Sequence, residues 1–230
     1  MTKIGMSVLL ACLLTAGSAM AGPTISVTRI YGYYVGDGGE FTLTPNQDLS
    51  ELTGELTTFE SFCLEITEQI IPGTYSVIVN DEAVGGGVNL GAPGSEGGDP
   101  LDKRTAYLYS EFRAGTLAGY NYTVGPNRAA SAKALQDVIW YLEDEIAMTW
   151  GGGSLQDQFL TAAQAAVDSG EWTDLGDVRV LNVYALDHAG EAQYRHQDML
   201  VMSTVPAPGA IVLGALGSCV VGFLRRRHML

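Results

Sequence analysis

From Thr24 to Val35 apolar and β-branched residues (Ile25, Val27, Ile30, Tyr33) alternate with polar ones, the period-two pattern of a half-buried strand. Gly36-Asp37-Gly38-Gly39 then reads as a turn, and Glu40–Thr44 as a returning strand. A longer alternating run, Thr57–Ile70, carries Phe59, Phe62, Leu64 and Ile66 and predicts one long strand through Cys63. After the Pro72-Gly73 turn, Thr74–Val79 predicts another strand, and Asn80–Pro100 a long Gly-rich loop.

The period then changes. Asp102 is placed to cap a helix over Lys103–Leu117, with Ala106, Leu108, Tyr109 and Phe112 on one side. Ala132, Leu135, Val138, Ile139 and Leu142 recur at spacings of three and four and predict a helix over Arg128–Ala147. Ser154, with Asp157 three residues on, is the start signal for a helix over Leu155–Asp168. Asp177–Leu186 and Gln197–Thr204 return to strand. Four strands, three helices and two strands imply an α+β domain: an antiparallel, barrel-like sheet with a helical insertion.

The two ends of the chain have a different character. Lys3, the apolar run Val8–Leu14 and the small residues of Ala19-Met20-Ala21 form the pattern of a secretory signal peptide over residues 1–21. Residues 22–204 are the exported body. At the other end Val205-Pro206-Ala207-Pro208 precedes an apolar stretch, Gly209–Leu224, which as a helix rises about 24 Å. Arg225, Arg226 and Arg227 follow, a basic cluster that stays on the cytoplasmic side. The expectation is a C-terminal transmembrane helix holding an exported body. Residues 205–230 also resemble a PEP-CTERM sorting signal, with Ala207 where the founding motif has Glu. That resemblance implies an exosortase-type sorting protease as partner and a destination at the cell surface, envelope or extracellular matrix.

With its ends set aside, the body holds eight basic against 26 acidic side chains, a net of −18. Such a field repels phosphate backbones and excludes nucleic acid as a partner. Cysteine usage narrows the chemistry further. Cys12 lies in the signal peptide and Cys219 in the C-terminal apolar stretch, so Cys63 is the one thiol of the body. A lone thiol in an exported domain is buried and inert, paired between chains, or chemically used.

Three segments stand out around that thiol: Phe62-Cys63-Leu64-Glu65, Leu135-Gln136-Asp137-Val138-Ile139-Trp140, and His196-Gln197-Asp198-Met199-Leu200-Val201. In this order they resemble the bacterial thioester domains of surface adhesins. The first segment matches that family's motif in full. The second has Leu135 where Thr is typical and Val138 where Ala is, and the third has His196 where an apolar residue is usual. The resemblance implies a thioester between Cys63 and Gln197, with Phe62, Glu65, Gln136 and Trp140 lining the site and Tyr194 adding aromatic cover. It implies covalent attachment to amine-bearing surfaces in a single turnover rather than enzymatic catalysis, with no cofactor; the body's two histidines, His188 and His196, lack the spacing of metal ligands, so no metal is expected. Glu65, two residues from Cys63, and His196, beside Gln197, are the candidates for moving the proton that the leaving amide nitrogen needs.

Three other readings remain open. A thiol hydrolase would pair Cys63 with His188 or His196. A cation site would draw on Asp81, Glu82, Glu96, Asp99 and Asp102, which lack the spacing of a Ca²⁺ loop. A non-covalent matrix or envelope protein would keep a degenerate thioester-domain fold with Cys63 as core.

Overall fold

The computed structural model describes residues 22–36, 38–84 and 98–204. The expected signal peptide, the Val205–Pro208 motif, the expected transmembrane helix, the Arg225–Arg227 cluster and Glu96 lie outside the described residues. Among the described residues no helix is long and apolar enough to cross a membrane.

Six antiparallel strands form the main sheet: β1 (Thr24–Thr28), β4 (Phe41–Pro45), β5 (Phe59–Ser61), β6 (Gly73–Asn80), β9 (Val178–Tyr184) and β10 (Met199–Met202). Their spatial order is β10-β9-β6-β1-β4-β5. Two short ribbons flank it, β2 (Tyr34–Val35) with β3 (Gly38–Gly39), and β7 (Glu82–Ala83) with β8 (Asp99–Pro100). Four helices complete the chain: α1 (Gln47–Thr53), α2 (Lys103–Ala114), α3 (Pro126–Leu142) and α4 (Leu155–Asp168).

The sheet nearly closes on itself. Beyond β5 the chain meets the opposite edge strand, where Cys63 bridges Met199 in antiparallel fashion. Leu64 N–H donates to Asp198 O (3.0 Å) and Leu200 N–H to Phe62 O (3.3 Å). Side chains alternate across this seam. Cys63, Met199 and Val201 join Ile25, Leu43 and Val77 in the core enclosed by the sheet. Phe62, Leu64 and Leu200 face the other way, into a second core built with α2, α3 and α4.

Local signals explain the helix ends. Asn46 Oδ1 accepts from Leu49 N–H (3.0 Å) at the start of α1, and Gly54 ends it at φ 83°. Asp102 caps α2 through Arg104 N–H (2.7 Å). Ser154 Oγ accepts from Asp157 N–H (3.1 Å) at α4. The sequence pattern left α1 unassigned, although Asn46 and Gly54 mark both of its ends.

Other expectations shift for stated reasons. The strand expected over Thr24–Val35 ends at Thr28, and the chain turns through Gly32 (φ 89°), where a Cβ would stand 3.1 Å from Gly125 N. The long strand expected over Thr57–Ile70 pairs with β4 only at Phe59–Ser61. Past that point its polar backbone groups go to side chains and to the seam with β10, because its pairing with β4 ends at Ser61. The helix expected to reach Ala147 stops at Leu142, and Asp144 turns into the left-handed region (φ 59°) while Glu145 N–H donates to Trp140 O (2.8 Å). The last strand begins at Met199 rather than Gln197, because the Asp198 carboxylate accepts the Val183 N–H (3.1 Å).

A buried ion pair ties the sheet to α3. Glu40 is fully buried between β3 and β4. Arg128 Nε and Nη2 donate to its two oxygens at 2.8 and 2.6 Å, and Tyr120 Oη–H donates at 2.6 Å. Arg128 also lies over the Tyr33 ring, 3.6 Å from its centroid. Removing one partner strands a charge, whereas removing both does not. Arg128→Met is therefore expected to lower stability by about 3–5 kcal/mol in urea unfolding. The double variant Glu40→Leu/Arg128→Met is expected to lose clearly less, and equal or additive losses would overturn this account.

Candidate functional site

Cys63 occupies a narrow, non-hydrogen-bonded position of the seam, so its own N–H and C=O point away from β10. Those two groups would be orphaned in a buried segment. Gln136 of α3 takes both. Its Oε1 accepts from Cys63 N–H (3.1 Å), and its Nε2 donates to Cys63 O (2.7 Å). The carboxamide behaves as one residue of an absent neighbouring strand. Only an amide side chain offers donor and acceptor at this spacing, which is the physical reason for Gln at that helical position.

Trp140, one helical turn on, lies on the same face of α3. A Cβ at Gly38 would stand 3.1 Å from Gln136 Cγ and 3.3 Å from Trp140 Cη2. The small residue at position 38 thus lets the β2–β3 ribbon press on this face of α3.

Cys63, Trp140 and Gln197 line one cleft of about 620 Å³, together with Phe41, Ile66 and Glu68. Gln197 is 2% exposed, and its Nε2 donates to Asp198 O (3.3 Å). The register places it diagonally across the seam from Cys63, two residues from Met199 and on the same face. Burial pushes the Cys63 thiol well above its ordinary range, and Glu65 adds to the shift, while the Arg29 guanidinium opposes it. Arg29 is held at this end of the sheet by Gly36 O (3.2 Å) and Gly38 O (3.0 Å) and by the Tyr34 and Phe41 rings. The thiol is protonated at neutral pH, so nucleophilic attack requires a base for its proton.

Several expected site residues are elsewhere. Phe62 does not line the cleft. Strand alternation turns it into the helical core, edge-on to Phe112 at 5.0 Å. Tyr194 supplies no cover, since it is 39% exposed and stacks on His188 at 3.7 Å. His188 bonds Glu191 (3.0 Å), and His196 packs edge-on against Tyr75 at 4.9 Å. Neither histidine lines the cleft that holds Cys63 and Gln197. Asp81 pairs with Arg179 (3.0 Å) and Asp102 caps α2. Among the described residues no group of three or more His, Cys, Asp or Glu is arranged to hold a metal ion.

Glu65 is buried beside the cleft rather than on its wall. Its carboxyl accepts from Asp198 N–H and hydrogen-bonds the Glu68 carboxyl, and burial lifts its pKa to about 9. Glu145 lies close by and holds Ile66 N–H (3.0 Å). Two residues that the motifs did not single out complete the surroundings. Asp198 braces the seam from behind, accepting from Val84 N–H (2.8 Å), Asn182 Nδ2 (2.9 Å) and Val183 N–H (3.1 Å). Its pKa is pushed up to about 7 by burial and by Glu65. Glu68 lines the cleft itself. The signal for Asp198 was a carboxylate opening an otherwise apolar run, Met199–Met202. Glu68 had no such signal.

Gln136→Ala removes both partners of Cys63's backbone, so a loss of about 2–4 kcal/mol is expected from two buried orphans. Hydrogen exchange should show Cys63 N–H losing protection, and an unchanged exchange rate would contradict the pairing.

Raised carboxyl pKa values also set a pH dependence. Glu60 and Asp198 rise to about 7, Glu143 to about 8 and Glu65 to about 9, all chiefly through burial. The folded state then binds protons more tightly than the unfolded chain. The stability these four carboxyls contribute is full below about pH 4 and is lost as pH climbs towards 9. Tm is expected to fall over that interval, and Glu65→Gln should flatten the upper part of the curve by about 2 kcal/mol, roughly 4–8 °C. A Tm that rises from pH 5 to 9 would refute this assignment.

No protein-family model matches this chain, and no curated protein or solved structure matches it either.

Proposed function

We propose that the body is an exported covalent attachment domain in which Cys63 and Gln197 form an internal thioester. One observation carries the reading. A lone thiol and a buried carboxamide lie diagonally across the closing seam of the sheet and line the same cleft. The backbone of the thiol residue is locked by a second carboxamide, Gln136, on the neighbouring helix. Such locking restricts the motion of the thiol residue, which favours attack on a weakly electrophilic amide.

Cys63 Sγ attacks Gln197 Cδ, the Cδ–Nε2 bond breaks, the thiol proton goes to the departing nitrogen, and ammonia leaves. The product is a thioester that joins the two edges of the nearly closed sheet. A primary amine from outside then attacks Cδ, releases the Cys63 thiol and leaves an amide bond at Gln197. Trp140, Phe41 and Ile66 give the cleft an apolar lining, which limits competing attack by water. Residues 1–21 direct export. Residues 205–230 anchor the chain until an exosortase-type protease acts near Val205-Pro206-Ala207-Pro208, leaving the body in the envelope or outside the cell.

A second reading has its own support. The deep burial that pushes the Cys63 thiol up is also what an inert core cysteine shows. In that case the protein is a non-covalent matrix or envelope component.

Intact-mass spectrometry of the purified chain separates the two. The attachment reading expects a mass one ammonia below that of the processed sequence, with the deficit abolished in Cys63→Ala and in Gln197→Ala. Methylamine should add to the chain and expose one titratable thiol. A full mass, with a thiol titratable before any amine is added, rejects the thioester.

A further inference from the structure

Both directions of the proposed chemistry need a proton carrier between sulfur and nitrogen. Neither histidine reaches the cleft, and Lys133 on its wall is engaged with Asp137. Among the described residues, the remaining ionisable ones on the wall are Arg29, which is not a proton acceptor, and Glu68.

Glu68 sits on the segment that runs from Cys63 to β6 along the cleft, and it is half-buried. Behind it lies Glu65, 5% exposed, whose carboxyl hydrogen-bonds Glu68. Glu65 Oε2 is buried and meets no N–H or hydroxyl donor of the protein. Two hydrogen-bonded carboxyls share one proton, and burial together with the Glu68 contact leaves it on Glu65. The other charged groups facing the pair are Glu145, just beyond α3, Asp198, just before β10, and Arg195. The two acids oppose ionisation of Glu68, while the guanidinium favours it.

Resting on the thioester reading, we infer that Glu68 is the proton shuttle of the cleft and that Glu65 is its positioning residue. In bond formation the Glu68 carboxylate takes the Cys63 proton as Sγ attacks Gln197 Cδ, then gives it to the departing nitrogen, so that ammonia leaves neutral. In amine capture the order reverses. Glu68 takes a proton from the attacking nitrogen and returns it to the leaving Cys63 sulfur. Glu68 ends each cycle as it began, and no outside proton, oxidant or reductant is consumed. Glu65 keeps its own proton throughout and donates it as a hydrogen bond that holds the Glu68 carboxylate in place. The same carboxylate draws a cationic amine into the cleft, where the ammonium gives one proton to solvent before its nitrogen attacks, so the favoured acyl acceptors are primary amines such as lysine side chains rather than neutral alcohols.

The test uses the purified full chain, with the mass deficit scored first and hydroxylamine then used as the probe. That nucleophile is already unprotonated at neutral pH, so any remaining pH dependence belongs to the protein. For the wild type, thiol release should rise with the ionisation of one group and then level off. Glu68→Gln should slow release about a hundredfold and flatten the profile. Glu65→Gln still offers an N–H to Glu68, so it should stay within about threefold of wild type while shifting the midpoint of the profile. Should Glu68→Gln fail to fold, the wild-type profile alone decides: a pH-independent rate would overturn the shuttle. A wild type that carries the deficit, with Glu68→Gln reacting at the wild-type rate, removes Glu68 and leaves the thioester standing. A wild type without the deficit removes both.

Discussion

The carboxamide of Gln136 pairs with the backbone N–H and C=O of Cys63, and much of the molecule is arranged around that contact. A sheet that nearly closes has one position where the last strand must meet the first without a further strand outside it. At that position the outward backbone groups of Cys63 have neither water nor a strand to satisfy them. A side chain from α3 supplies both hydrogen bonds. The helix therefore does more than cover the sheet. It completes the sheet's hydrogen bonding at Cys63, so helical packing and the orientation of the thiol are coupled.

Alternation across the same seam divides labour between adjacent residues. Phe62 and Leu64 bind the seam to the helical layer, while Cys63 between them points into the core enclosed by the sheet. This arrangement gives a rigid mount, because the flanking side chains are packed on one side and the backbone is fastened by Gln136. It also exacts a cost in reactivity, since a thiol in that setting resists ionisation. Rigid placement and low thiolate content act in opposite directions. The nearby carboxyl groups, kept partly protonated by burial, are the structural counterpart of that conflict.

Much of this architecture was legible along the chain. The helices beginning at Lys103 and Leu155 start where Asp102 and Ser154 cap them, because a cap is a contact within one turn. Helix α1 was equally marked by Asn46 and Gly54, but its apolar stripe over seven residues is too brief to show a period. The strand through Cys63 was overextended because alternation reports which side a residue faces, not whether a partner strand lies beside it. The motif places Phe62 at the site, whereas strand alternation sets it apart from Cys63. Glu68 was invisible because nothing in a run of mixed polar and apolar residues indicates which acid borders a cleft.

What the sequence by itself determined was the residue chemistry and the local elements: one thiol in the body, a glutamine in each of two motifs, an acidic surface, capped helices and alternating strands. These follow from interactions spanning a few residues, and a linear pattern records them. Only the tertiary structure decided that Cys63 meets Met199, that Gln136 rather than a strand completes Cys63, and that Gln197 shares its cleft while Phe62 does not. The contacts involved join residues 73 and more positions apart. They depend on sheet closure and on the approach of α3 to the seam at Gly38, which packing of the whole domain sets and no local pattern encodes.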